Sequence, residues 1–394
     1  MRIAIVSDFF YPELSGIADS ITLLGQTLAK RGHQIMFIVP YYSQKNYRQA
    51  NDLIDKNYGP NITIKHLPAL TLPSSPTGQS RLVLPSGLAY FALKNFKPDI
   101  IHSHSQFIPG LEALLTARSL KIPLVGTNHT PLAEYLPRRP RFLIKLILAY
   151  SAWYYNRCIF VSAPCQTLLE EMAQAGFKIN LAKVISNPVD LNNYQPVETE
   201  DLKNKLKQQF GLSAQTLLYT GRLADEKQIG VIIQALKLLI FDFPNLDLVI
   251  VGRGRAEQAL RLLTTNLQLN DRVKYLGFVK KETLTLIYQA ADLFVIMSPV
   301  ETQSLSLMQA MASALPVIGA QARALPEYIN TTNGRLVETG DAIALAKTIK
   351  EILEQPQLAN DLGQGGLKSV INYAPTIISE TWEKIYQKLI AQKS

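Results

Sequence analysis

Short runs of uninterrupted apolar residues alternate with stretches whose apolar positions recur every three or four residues, and the alternation continues along almost the whole chain. It predicts β-strands followed by amphipathic helices, the mark of parallel βαβ construction. In the first half, strands are expected at Ile3–Ser7, Ile35–Val39, Ile62–His66, Ile100–His102, Leu124–Thr127, Ile159–Val161 and Lys183–Ile185. Helical patterns lie between several of them, at Ile17–Lys30, Gly110–Ser119, Arg141–Tyr155 and Gln166–Ala175. A second series starts at Gln215–Thr220 and continues with Asp247–Val251, Val273–Tyr275, Leu293–Ile296 and Pro316–Ile318, again interleaved with helices. Runs such as Leu248–Val251, apolar without alternation, read as strands covered on both faces.

The polar segment Asn192–Glu200, just past Asn187-Pro188, separates the two series and divides the chain into domains over 1–193 and 194–374. Beyond Pro375, Trp382, Ile385, Tyr386 and Leu389 stand at helical spacing and predict one further amphipathic helix over 375–391. The expected fold class is α/β, with two doubly wound, Rossmann-like domains in tandem. Ligands of such domains sit at the carboxyl ends of the strands, here in the cleft between the domains.

Composition changes this picture little. With 394 residues, 47% of them hydrophobic and 18% charged, the chain has apolar material for two or three ordinary cores and predicts a soluble globular protein. Cys158 and Cys165 are too few for a disulfide framework, and with five histidines no cluster has zinc spacing, so a reduced, cytoplasmic setting is expected. The apolar run before Asp8 is too short for a signal peptide, and no uncharged apolar stretch approaches the roughly 18 residues of a membrane span.

Charge is more informative. Residues 1–193 hold 19 Lys/Arg against 11 Asp/Glu, whereas 194–394 hold 21 against 20. A basic first half points to phosphates or an anionic membrane surface, or to nothing beyond an ordinary basic enzyme.

Candidate chemistry clusters after the strands. Ser15-Gly16 opens the first helix, where a glycine lets a ligand approach the backbone and helix amides face an anion or a hydroxyl. No G-x-G-x-x-G follows any strand, which argues against a nicotinamide dehydrogenase. His102, His104 and His129 fall at the ends of consecutive strands and read as lining a cleft, without the further ligand a metal would need. In the second half, Gly221-Arg222 and Lys227 lie on one strand-to-helix turn, from which both cations can reach a single diphosphate; pairing with Asp225 or Glu226 is the plainer alternative. After Leu293–Ile296 comes Glu301, then the amides of Gln303, Ser304 and Leu305 at the start of a helix expected over Leu305–Ala314, a second anion site.

The stretch Arg138-Arg139-Pro140-Arg141 followed by Lys145 and Trp153 joins cations, an apolar helix and aromatics. That mixture suits the interface of an anionic bilayer, although a buried helix with a basic start would look similar.

Gly221-Arg222 with Lys227, Val251-Gly252-Arg253-Gly254, Tyr275-Leu276-Gly277-Phe278-Val279 and Glu301–Ile318 together resemble the nucleotide-sugar half of retaining glycosyltransferases of family 4. Ser15-Gly16, Gly32-His33 and His129 match the acceptor half in the same order, so the resemblance covers nearly the whole chain. It implies a GT-B fold, whose last helix, 375–391, returns to the first domain. Arg222 and Lys227 would hold the donor diphosphate, Glu301 the transferred hexose, and Phe278 and Val279 the base. Gly16, Gly221, Gly252 and the Gln303–Leu305 amides complete the donor site, and His129 with Glu301 orients the sugar. No metal or other cofactor is implied.

One position departs from the family: its second glutamate, eight residues after the first, is Gln309 here, about 12 Å from Glu301 along an ideal helix. Glutamine keeps a carbonyl acceptor and loses the charge, so weaker donor affinity with surviving activity is expected. The resulting expectation is retaining, metal-independent transfer of a hexose from a nucleotide diphosphate sugar, such as a UDP-sugar, to a hydroxyl of a membrane lipid such as diacylglycerol. The protein would be cytoplasmic and peripheral on the membrane's inner face, with Arg138, Arg139, Arg141, Lys145 and Trp153 at the lipid. A sugar-nucleotide epimerase and a non-catalytic nucleotide-sugar-binding membrane partner are the rivals. Nucleic-acid binding is not expected, since no reader motif accompanies the basic residues.

Overall fold

A computed structural model describes residues 1–13, 15–49, 57–72, 80–131, 140–178 and 182–392. The chain falls into two units, Met1–Pro188 with Pro375–Ser394, and Val189–Ala374. The change of unit between Pro188 and Val189 precedes the 193/194 division that the polar run suggests, because Val189 already donates its N–H to Tyr373 O at 2.9 Å.

In the first unit, β1 (Arg2–Val6), β2 (Gln34–Pro40) and β3 (Ile62–Leu67) are followed by a two-stranded antiparallel ribbon of β4 (Ala69–Thr71) and β5 (Arg81–Val83). Then come β6 (Ile100–Ser103), β7 (Leu124–Thr127), β8 (Phe160–Ala163) and β9 (Ala182–Val184). The main sheet has the order β3-β2-β1-β6-β7-β8-β9 and is parallel throughout. Its direction of growth reverses between β1 and β6, which makes that gap the topological switch point.

The helix Pro375–Ala391 belongs to this unit. Its Ile378, Trp382, Tyr386 and Leu389 enter the core formed by Ile3, Ile5, Leu28 and Phe37, so the stripe read from the sequence is buried. Arg31 pins the same helix from outside, reaching Glu380 at 3.1 Å and Glu383 at 2.7 Å.

The second unit carries β10 (Gln215–Thr220), β11 (Leu246–Val251), β12 (Val273–Gly277), β13 (Leu293–Ile296), β14 (Val317–Ala320) and β15 (Arg335–Val337). These form a six-stranded sheet of order β12-β11-β10-β13-β14-β15, parallel throughout, with its switch point between β10 and β13. All six residues of β11 are buried, as strands covered on both faces require.

Two α/β units with doubly wound parallel sheets are therefore present. Most expected strands agree to within two residues. The ribbon and β15 lie outside the expected strands: each strand is three residues long and no extended apolar run marks it in the sequence. The helix expected over Leu305–Ala314 stops at Ala312, because Ala314 turns left-handed at φ 54°. Among the described residues, no helix is long and apolar enough to cross a membrane.

Candidate functional site

At the switch point of the second unit, Gly252 sits at φ 138°, and a side-chain carbon there would lie 1.9 Å from Gly221 O. At Gly254 the same substitution would meet Leu223 O at 2.1 Å. Only glycine permits this close approach, and hydrogen bonds then lace the loops after β10, β11 and β12 together. Gly221 N–H donates to Val251 O at 2.9 Å, Leu223 N–H to Arg253 O at 3.0 Å and Gly252 N–H to Gly277 O at 2.8 Å. A short helical turn, Asp225–Lys227, follows on this support and leads into the helix Ile229–Leu239.

The turn brings Lys227 Nζ to 2.5 Å from Glu301 Oε1, with the two side chains only 14% and 11% exposed. Burial would push the Glu301 carboxyl upward. The charge and hydrogen bond of Lys227, a bond from Ser298 and the charge of Arg222 overcome that and hold it below the ordinary glutamate value. Arg222 reaches Glu226 at 2.9 Å and keeps about a third of its side chain open. Two cations and a carboxylate from the ends of β10 and β13 thus meet at one switch point. The pairing of Arg222 with Glu226, the plainer reading of that turn, is present alongside.

Ser304 caps the helix Leu305–Ala312 by accepting from Leu307 N at 3.3 Å. The amides of the first turn lack partners inside the helix and carry the positive end of its dipole. On the same helix, Gln309 Oε1 accepts from the Tyr288 hydroxyl at 3.2 Å, and the Tyr288 hydroxyl oxygen also lies 2.5 Å from Thr220 Oγ1 at the end of β10. Gln309 is thereby linked through Tyr288 to the end of β10, the strand that Gly221 follows. Phe278 and Val279 lie half-buried just past β12, two strands from β10.

The first unit's switch point has a different character. Asp8 follows β1 and accepts a hydrogen bond from Ser105, which follows β6. Burial pushes Asp8 up to about 7, against the bond from Ser105 and with a further push from the charge of Glu13. A small pocket lined by Asp8, Ile17, His104, Ser105 and His129 lies there. Gly16 is the first residue of the helix Gly16–Lys30, and Ser15 caps it by accepting from Ile17 N at 3.2 Å.

His104 Nδ1 is 2.8 Å from His129 Nε2, with the rings stacked at 5.1 Å. Burial lowers His129 to about 4, and His104 falls well below its ordinary value through burial and its histidine neighbours. Both rings are therefore neutral at physiological pH, one donating and the other accepting. His102 does not line a cleft as expected: it is fully buried. Its ring is held at 2.6 Å by the Tyr386 hydroxyl and at 2.7 Å by Thr127 Oγ1, and its centroid lies 4.0 Å from that of His104, the two rings tilted by 36°. It is a support for the His104–His129 pair.

Asp8, Ser105 and Tyr288 are members of these sites that the sequence reading did not single out. A carboxylate directly after the first strand was a usable signal for Asp8. Nothing in spacing marks Tyr288 or the 284-residue separation of His102 and Tyr386. No group of three or more His, Cys, Asp or Glu side chains able to hold a metal occurs among the described residues.

Of the basic stretch, Arg138 and Arg139 lie outside the described residues, and Arg141 is the first residue of the helix Arg141–Tyr155. Lys145 is exposed on that helix, as is Trp153, whose ring carries the Arg157 guanidinium at 4.0 Å.

Residues 202–369 match the family described as glycosyl transferases group 1, and residues 14–193 match glycosyltransferase family 4. Alpha-monoglucosyldiacylglycerol synthase of Acholeplasma laidlawii is 26% identical over 99% of this chain and 98% of its own. A GDP-mannose-dependent alpha-mannosyltransferase of Corynebacterium glutamicum is 28% identical over 86% of this chain and 78% of its own. Among solved structures, Anabaena HepE in complex with UDP superposes with a TM-score of 0.79 at 21% identity, covering 98% of this chain and 100% of that one. Sucrose-phosphate synthase from Thermosynechococcus elongatus reaches 0.82 at 20% identity, with each chain covered completely. The fold is GT-B.

Proposed function

This chain belongs to the family 4 glycosyltransferases, and from that premise we propose that it transfers a hexose from a UDP-sugar to a hydroxyl of a membrane lipid, with retention and without a metal ion. The observation that carries the reading is the Lys227–Glu301 contact at 2.5 Å with Arg222 beside it, on loops laced together at a switch point. Arg222, Lys227 and the Gln303–Leu305 amides take up the charge that develops on the departing diphosphate, and Glu301 accepts from sugar hydroxyls. Those two side chains supply the positive charge that a metal ion supplies elsewhere. The bond from the sugar's anomeric carbon to the diphosphate oxygen breaks. A bond from that carbon to the acceptor oxygen forms on the same face, and the acceptor's proton passes to a diphosphate oxygen. His129, which the resemblance pairs with Glu301 on the sugar, is assigned instead to orienting the acceptor, because its ring is neutral and backed by His104. Rate enhancement then comes mainly from electrostatics and positioning.

A lipid acceptor is supported by the similarity to two monoglucosyldiacylglycerol synthases, the second from Streptococcus pneumoniae at 26% identity over 81% of this chain. The exposed Lys145 and Trp153, on a helix without acidic residues, suit an anionic membrane surface. UDP is favoured over GDP because the HepE complexes, which cover nearly the whole chain, contain it. The test incubates the protein with a panel of UDP- and GDP-sugars and diacylglycerol vesicles, with mass spectrometry and proton NMR of the product. An α-linked glycolipid formed at an unchanged rate in EDTA is expected. A β-linked product, loss of activity in EDTA, or an epimerised sugar nucleotide formed without acceptor would contradict the reading.

A further inference from the structure

The helices Arg141–Tyr155 and Gln166–Gln174 are fastened together at one end. Asn156 donates to Gly176 O at 3.0 Å, and its carbonyl accepts from Lys178 N–H at 2.8 Å. Between these helices lies a cavity of about 310 Å³. Leu148 and Ala152 from one helix, Leu168 and Met172 from the other, and Phe177 supply most of its apolar lining, and Ser151, Glu171 and Gln174 of the same helices add polar groups to the wall. Asn128 and Thr130, the neighbours of His129 on either side, line it as well. An apolar cavity of roughly 150 Å³ holds a benzene-sized ligand, so this one has room for several methylenes.

We propose that the cavity takes the first methylenes of an acyl chain of the acceptor lipid, an assignment that rests on the lipid acceptor proposed above. Its wall carries both kinds of group such a ligand needs, hydroxyl-binding side chains beside His129 and the hydrocarbon of the two helices, with Ser151, Glu171 and Gln174 interrupting the apolar part. The outer face of the helix Arg141–Tyr155 supports the same occupant. Phe142 is 73% exposed and Leu146 65%, next to the exposed Lys145 and Trp153. No Asp or Glu occurs anywhere from Pro140 to Arg157. One side of the helix therefore suits an anionic lipid surface and the other lines the cavity.

The physical need is specific. To present its hydroxyl at His129, a membrane lipid must lift its head and nearest methylenes out of the bilayer. Each methylene left in water weakens binding by a factor of about four. An apolar lining next to the hydroxyl site removes that penalty, whereas a soluble sugar acceptor would gain nothing from it.

Ala152→Phe and Leu148→Trp fill the cavity from one helix at two positions, the second only half-buried and so tolerant of a larger side chain. Each is assayed with the preferred UDP-sugar against dioleoylglycerol and diacetylglycerol, whose acyl groups have no methylenes, in phosphatidylglycerol–phosphatidylcholine vesicles, with thermal melting as the check of folding and vesicle co-sedimentation as the check of membrane binding. The expected result is at least a tenfold fall in kcat/KM for the long-chain acceptor and collapse of the long-to-short preference, at wild-type vesicle binding. A preference that stays within twofold of wild type in every folded variant overturns the assignment, and Leu148→Trp carries the test if Ala152→Phe does not fold. A wild-type enzyme that glycosylates no lipid overturns the acceptor reading itself. One that glycosylates lipid while the variants keep its chain-length preference overturns the cavity alone.

Discussion

Past β1 and β7, Asp8 and His129 are pushed by burial toward their neutral forms, whereas past β10 and β13 Lys227 and Glu301 keep opposite charges in contact at 2.5 Å. Both clusters stand at the carboxyl ends of parallel strands beside a switch point, so topology alone does not distinguish them. What differs is the partner given to each buried group. A histidine offered another neutral ring stays neutral, while a carboxylate offered an ammonium stays charged. The first arrangement suits a neutral hydroxyl, and the second suits a sugar on a doubly charged leaving group. On the function proposed above, one scaffold, used twice, separates acceptor chemistry from donor chemistry by electrostatics.

The largest expected effect breaks the charged half. Lys227→Ala removes a cation from the diphosphate and leaves Glu301 buried without it, so turnover falls about 100- to 1,000-fold and UDP affinity falls with it. Transfer kinetics with UDP titration calorimetry measure both, and full turnover in the variant refutes the assignment. Next, His129→Ala is expected to lower kcat/KM for the acceptor by about 100-fold while UDP affinity holds within twofold, if the two clusters serve different substrates as proposed. Equal losses of donor and acceptor binding would erase the distinction.

A third prediction concerns pH. Asp8 is raised to about 7, so between roughly 4 and 7 the folded protein holds a proton that the unfolded chain has lost, and stability falls as pH rises through that window. Asp8→Asn removes the effect, so its melting temperature relative to wild type rises from pH 5 to pH 8. His102 and His129, lowered to about 3 and 4, act in the opposite sense. Their contribution is present above about 6.5 and is lost as pH falls toward 4. A melting difference independent of pH would remove Asp8 from the buried set. Smallest is Gln309→Glu, which restores a charged acceptor near Tyr288 and tightens donor binding about threefold by titration. No change there would discard the donor-binding role of position 309.

Legibility in the sequence follows the same division. Strand ends, and with them Arg222, Lys227, Glu301 and His129, could be read because continuous apolar runs stop abruptly where β10, β13 and β7 stop. Roles that depend on contacts across the chain could not. His102 looked like a site residue by position, yet Tyr386, 284 residues later, turns it into a buried support. In the sequence Asp8 only ends the first apolar run, and the burial that pushes it up, with Ser105 and Glu13 around it, comes from the fold. Gln309 read as a lost charge, whereas its link to Tyr288 and Thr220 emerges only when helix and strand meet. Local pattern reveals which groups stand at a switch point, and packing decides which of them are charged.

Hydrogen–deuterium exchange of the full chain with and without UDP tests the donor assignment most directly. Slowed exchange at Gly221–Gln228 and Thr302–Leu307 is the predicted result, lost in Lys227→Ala. Unchanged exchange in both segments, with UDP protecting other parts of the chain, would contradict it.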